Sequence, residues 1–130
     1  MTRPIILLSL MVLLSGCVAT VSSSIEQGGV KLDAEGIRTE FSGKKLSGKF
    51  VQGYLATHQF AFAANGDGLS MDGKSDGRWY ANDEGRLCLE WPKSLGWSRI
   101  SYCFYALKES NGYGLYDTTV NQLRLRFTPK

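Results

Sequence analysis

With 130 residues, 43% of them hydrophobic, the chain has material for one domain and one core. Its 15 Lys and Arg against 12 Asp and Glu give a formal charge of +3, spread along the chain except at Lys44, Lys45 and Lys49, so no nucleic-acid groove is indicated. One histidine, three cysteines and no Cys-x-x-Cys are too few ligands for a zinc site, and neither a metal nor another cofactor is expected.

The chain opens with Arg3, an apolar run from Ile5 to Leu14, and then Ser15-Gly16-Cys17. In this order the residues resemble a bacterial lipoprotein signal and its lipobox: a charged start for the export machinery, an apolar segment for the membrane, and small residues that admit a peptidase before Cys17. The run is too short to cross the roughly 30 Å hydrocarbon layer as a helix, so a cleaved signal over residues 1–16 is expected instead of a permanent span. The resemblance implies diacylglycerol in thioether linkage on Cys17 and an acylated amine. Each buried methylene contributes about 0.8 kcal/mol, and two membrane signals already give stable anchoring. Val18 in place of an aspartate after the cysteine favours the outer membrane, facing the periplasm, over the inner one. An ordinary secretory peptide is the alternative.

Residues 17–31 are small and polar, with Ser22-Ser23-Ser24 and Gly28-Gly29, and read as a flexible tether holding a domain of residues 32–130 off the bilayer. Asp33 caps a short helix whose Ile37 and Phe41 share a face at i, i+4, with Leu32 as the staple residue before the cap and Gly36 limiting it to one or two turns.

Beyond Gly43 the pattern changes to short alternating runs divided by glycine and acidic turn residues, which predicts antiparallel strands. His58, Phe60 and Phe62 share one face, the Asn65-Gly66-Asp67-Gly68 segment turns, and Leu69 and Met71 open the return. Trp79 lies in the next strand, followed by the Asn82-Asp83-Glu84-Gly85 turn and the strand Arg86 to Trp91. A loop from Pro92 to Trp97 leads to alternating Ile100, Tyr102, Phe104 and Ala106, and Asn111-Gly112 turns into strands through Tyr113, Leu115 and Tyr116 and through Leu123, Leu125 and Phe127.

With Cys17 assigned to lipid, Cys88 and Cys103 remain, and an oxidising envelope makes their disulfide the expected outcome. Setting them opposite one another places Leu89 against Tyr102, Leu87 against Phe104 and Trp91 against Ile100, so one register serves the sulfurs and the apolar face. About seven or eight strands with one apolar face must curl to bury it, so an all-β fold is predicted: a small antiparallel meander barrel or a strongly coiled sheet, with one short N-terminal helix.

Several landmarks together resemble an uncharacterised family of small exported bacterial β-rich domains. They are Phe41-x-Gly43-Lys44-x-Leu46-x-Gly48, Phe62 with Gly66 or Gly68, Gly77-x-Trp79, Gly85-Arg86-Leu87-Cys88-x-x-Trp91, Cys103-Phe104 and Gly112-Tyr113. The resemblance covers residues 33–117 and carries no catalytic residues with it. Gly77-x-Trp79 is also similar to the lipocalin signature, here in mid-domain, and implies a barrel but no ligand.

Candidate chemistry is sparse. His58 as a general base lacks a Gly-x-Ser-x-Gly elbow and a carboxylate nearby in sequence, and reads as a rim residue. Asn65, Asp67, Gly68 and Asp72 resemble a calcium loop only until the register puts Ala63 and Lys74 at ligand positions. Glu90 and Asp117 are a conceivable glycosidase pair of unknown separation. The aromatic set Phe60, Phe62, Trp79, Trp91, Tyr102, Phe104 and Phe127 either lines a ligand cavity or, as in most small barrels, fills it. Trp97, on a connecting loop, is the candidate contact residue. The expected function is a non-enzymatic envelope lipoprotein, tethered to the membrane through lipid, whose β-domain binds another envelope protein or cell-wall component. A carrier or sensor of a small apolar ligand and a lysozyme-inhibitor-like protein are the alternatives, and a cell-wall enzyme is least favoured.

Overall fold

The computed structural model describes residues 19–51, 57–64, 67–91 and 100–129. In chain order the elements are α1 (Val21–Glu26), β1 (Val30–Lys31), α2 (Ala34–Phe41), β2 (Lys45–Phe50), β3 (Thr57–Phe62), β4 (Gly68–Met71), β5 (Lys74–Ala81), β6 (Leu87–Trp91), β7 (Ile100–Glu109), β8 (Gly112–Asp117) and β9 (Leu123–Pro129). From β2 to β9 each strand pairs antiparallel with the next, and β9 returns to β2 through Leu46↔Pro129 to Phe50↔Leu125. The result is a closed barrel of 8 strands, the barrel form of the predicted fold. Closure satisfies the edges that an open sheet would leave unpaired.

Residues 19–31 depart from the expectation of a tether. Thr20 caps α1 by accepting from the Ser23 N–H, while the Ser23 hydroxyl accepts from the Thr20 N–H, so the serine run is a capping box instead of a spacer. β1 then extends the edge of β7 beyond β6, through Val30↔Lys108 and Lys31↔Leu107. The described residues therefore hold two helices where the sequence predicts one for the same stretch.

α2 forms as predicted. Asp33 Oδ1 accepts from the Gly36 N–H at 2.7 Å, and Ile37 and Phe41 are fully buried. Arg38, which donates to the Ala81 carbonyl, and Glu40, which meets Lys108 and Tyr113, place the helix across the end where β5 stops and β8 starts. That end is plugged. The opposite end, called open because no helix among the described residues crosses it, carries the Asp72-Gly73 turn, the turn between Asp117 and Gln122, and the strand ends Phe50 and Trp91.

The interior at the plugged end is filled by rings. Phe41 contacts Phe62 at 5.2 Å and Tyr113 at 4.7 Å, Phe60 meets Phe127 at 5.1 Å and Phe62 meets Trp79 at 5.5 Å between centroids. Gly48 makes this possible: a Cβ there would stand 2.5 Å from Phe60 Cε2 and 2.8 Å from Phe127 Cε1. Of the aromatic set, Phe60, Phe62, Trp79 and Phe127 are core, whereas Trp91 and Phe104 are half-buried and Tyr102 is 56% exposed.

The predicted register between β6 and β7 is the observed one, Leu87↔Phe104, Cys88↔Cys103, Leu89↔Tyr102 and Trp91↔Ile100. The two sulfurs lie 2.06 Å apart, at disulfide distance. Their sequence separation of 15 corresponds to about 3 kcal/mol of stabilisation through restriction of the unfolded chain. Replacing both cysteines by alanine is expected to lower the unfolding free energy in urea by that amount. Free thiols on both residues in protein purified without reductant would overturn the pairing.

Candidate functional site

The turn between β4 and β5 has positive φ at Asp72 (52°) and Gly73 (83°), the backbone of a two-residue hairpin turn that Asp-Gly favours. It brings Asp72 beside the start of β3. Asp72 Oδ1 accepts from the Gln59 N–H at 2.8 Å, and Oδ2 lies 2.6 Å from His58 Nδ1. The Gln59 N–H, then His58, hold the Asp72 carboxyl below its ordinary value. The orienting carboxylate that the sequence places nowhere near His58 is thus supplied by the fold. Counting back from Phe60↔Met71 puts Gln59 next to Asp72, and that register is the signal that sequence reasoning missed.

An Asp–His pair is the base half of a nucleophilic triad. Among the described residues, however, His58 hydrogen bonds to Asp72 and to no hydroxyl or thiol. Its ring stands edge-on to Phe50 at 5.7 Å, so it forms part of the aromatic lining of the open end. That lining continues around the barrel through Trp91, which lies over Gly77, to Phe104 and to Tyr102, whose ring is 6.2 Å from that of Phe104. Tyr102 faces inward, opposite Leu89, yet is more than half exposed because β7 begins at the open rim.

The carboxylates proposed from sequence are not brought together as a catalytic pair. Asp117 closes the turn before β9: it accepts from the Val120 N–H at 2.7 Å, the Thr119 N–H at 3.0 Å and Arg124 Nε at 3.0 Å. Burial works to raise its carboxyl, and these N–H donors and the Arg124 charge outweigh it and hold it low. Glu90 stands between Arg78 and Ser101 on the neighbouring strands. Cys17 and Trp97 lie outside the described residues, as does Asn65 of the considered calcium loop.

A second polar cluster was not legible in the sequence. Ser24 Oγ donates to Glu109 Oε2 at 2.6 Å, Tyr116 donates its hydroxyl to the same oxygen, and Arg126 Nε lies 3.8 Å from Oε1. Burial, and then Glu109, raise the Tyr116 hydroxyl. Ser24, Glu109 and Arg126 border a cleft of about 230 Å³ beside Gln27 and Asn111. With Ala19 and Val21 packed against the group of Leu107, Tyr116 and Leu123, this cluster fixes α1 to the outer wall.

At the plugged end, Tyr113 donates to Glu40 at 2.6 Å and Lys108 Nζ lies 2.9 Å from the other oxygen. The Tyr113 bond, then Lys108, hold Glu40 low; burial, then Glu40, push Tyr113 up to about 12. A raised folded-state value means that Tyr113 contributes its full stabilisation below pH 10.0, and that this is lost as pH climbs through about 12. Tyr113→Phe is expected to remove this part of the alkaline loss, seen as a shallower fall of stability in urea titrations across that range. An unchanged slope would contradict the assignment.

An aromatic-rimmed, one-end-plugged meander barrel with a helix strapped to its wall is the class this geometry defines. Residues 8–121 match the family described as "Protein of unknown function (DUF995)", and the chain belongs to that family. Comparison with curated proteins and with solved structures returned no match.

Proposed function

We propose that the mature chain is a lipid-tethered domain of the bacterial envelope, without catalytic activity, that binds another envelope component through the open end of its barrel. The anchor in this reading is acylated Cys17, and Val18 after it directs the protein to the outer membrane, facing the periplasm. The observation that carries the reading is the contrast between the two ends. One is closed by α2 over a ring-filled core, and the other presents Tyr102 at 56% exposure with Trp91 and Phe104 half-buried behind it. The packed interior speaks against a central cavity for a small apolar ligand. His58–Asp72 is the feature an enzyme would build upon, and it has no nucleophile among its described partners.

A photo-crosslinking side chain at position 102 tests this in native envelopes, where an adduct with an envelope component is expected. Trp97→Ala is expected to weaken that association by about 2 kcal/mol, the level of an interface hot spot. His58→Ala is expected to leave it unchanged. No adduct from fully acylated protein would overturn the binding role, and a turnover activity lost in folded His58→Ala would replace it with an enzyme.

A further inference from the structure

We propose that the outer wall formed by β3, β2 and β9 is a binding surface for an anionic polysaccharide, with one acidic sugar unit seated between Lys49 and Arg126. The surface lies on the side of the barrel and does not depend on the role given to the open end.

All 12 acidic residues lie outside two stretches of the chain, residues 41–66 and 118–130. Those stretches hold Lys44, Lys45, Lys49, Arg124, Arg126 and Lys130, whereas the remainder sets nine lysines and arginines against the 12 acids. The modest net charge of +3 therefore conceals two unlike regions. Folding puts the basic stretches side by side, because β2 and β3 come from the first, β9 comes from the second, and β2 pairs with both. Leu46, Gly48, Leu125 and Phe127 are buried, so Lys45, Ser47, Lys49, Arg126 and Thr128, which alternate with them, face outward.

Lys49 stands directly opposite Arg126, with Thr57 on its other side, and Ser47 lies between Thr128 and Gln59. Two cations in facing positions repel, which costs a sheet stability. Glu109 Oε1, 3.8 Å from Arg126, compensates one of them, while Lys49, like Lys45, has no carboxylate partner among the described residues. An anion between Lys49 and Arg126 turns the repulsion into two attractions. A cleft of about 300 Å³ lies there, lined by both cations, by the hydroxyl-bearing Ser47, Thr57 and Thr128, and by the apolar Val51 and Leu123. No carboxylate borders it. This set suits an acidic sugar, whose charge meets the cations, whose ring hydroxyls meet the side-chain hydroxyls, and whose C–H face meets Val51 and Leu123. None of the large exposed hydrophobics among the described residues lies on β2, β3 or β9. The wall thus offers no exposed ring for stacking nucleic-acid bases and no aromatic anchor for a protein interface.

The test titrates the full chain, purified in mild detergent with its disulfide intact, with polygalacturonate and with uncharged dextran. Polygalacturonate is expected to bind, with an affinity that falls as salt is raised, and dextran is expected not to bind. Lys49→Gln, at an exposed site, is expected to weaken binding about tenfold, the loss of one charge-assisted contact. Lys31→Gln removes the same charge from β1, away from this wall, and is expected to leave the affinity within about twofold. Equal losses in the two variants would show that net charge alone attracts the polymer, and would overturn the site. Folded protein that binds neither polymer, or binds dextran equally well, overturns it too. Bound polygalacturonate is also expected to protect Lys45 and Lys49 from chemical acetylation, read by mass spectrometry. Protection of these lysines by phosphatidylglycerol vesicles but not by polygalacturonate would overturn the glycan and assign the wall to lipid headgroups.

Discussion

Phe41→Ala is expected to lower the unfolding free energy by about 3–5 kcal/mol, the cost of deleting a large aromatic side chain from a packed core. Phe41 is fully buried and meets rings from three strands, Phe62 of β3, Tyr113 of β8 and Phe127 of β9. The void cannot close by local shifts, because those strands are fixed by barrel closure through β2 and β9. A domain of this size is held by about 5–15 kcal/mol in all, so the variant loses a large part of its margin. Urea midpoints at unchanged slope measure it. A loss under about 1 kcal/mol would mean that α2 lies on the barrel without plugging it.

Cys17→Ala is expected to move the protein from the membrane to the soluble fraction. No helix among the described residues is long and apolar enough to cross a bilayer, and the apolar groups at the open rim are few. Acyl chains contribute about 0.8 kcal/mol per buried methylene, which far exceeds what a few half-exposed side chains supply. Acyl labelling and fractionation check it: an unlabelled mutant that remained wholly membrane-bound would show that another part of the chain holds it.

What was legible in the sequence is what local pattern determines. The Asp33 cap and the Ile37, Phe41 face follow from helical spacing, and the alternation around Cys88 and Cys103 admits one register that pairs sulfurs and buries leucines. What was illegible depends on segments distant in sequence. Ser22-Ser23-Ser24 has the composition of a spacer, and it becomes a helix because Val21 and Ser24 find Leu123 and Glu109 far along the chain. His58 has no acidic neighbour until β4 pairs antiparallel with β3, and the Asp72-Gly73 turn at the end of β4 then sets Asp72 beside His58 and Gln59. Tyr102 alternates like a core residue, and only the position of the rim decides that it is exposed.

The pairing of β2 with β9 sets the order in which this chain can acquire structure. Gly48 meets Phe127, so the contact that seals the barrel joins residues from opposite ends of the domain and is available only when the last strand has arrived. Contacts of such long range fold slowly, since loop-closure entropy is lost before they form. On the proposed route across a membrane, which a chain passes unfolded, that delay is an advantage: until β9 emerges, Phe127 is missing from the core, and closure has no final strand with which to trap the protein on the wrong side.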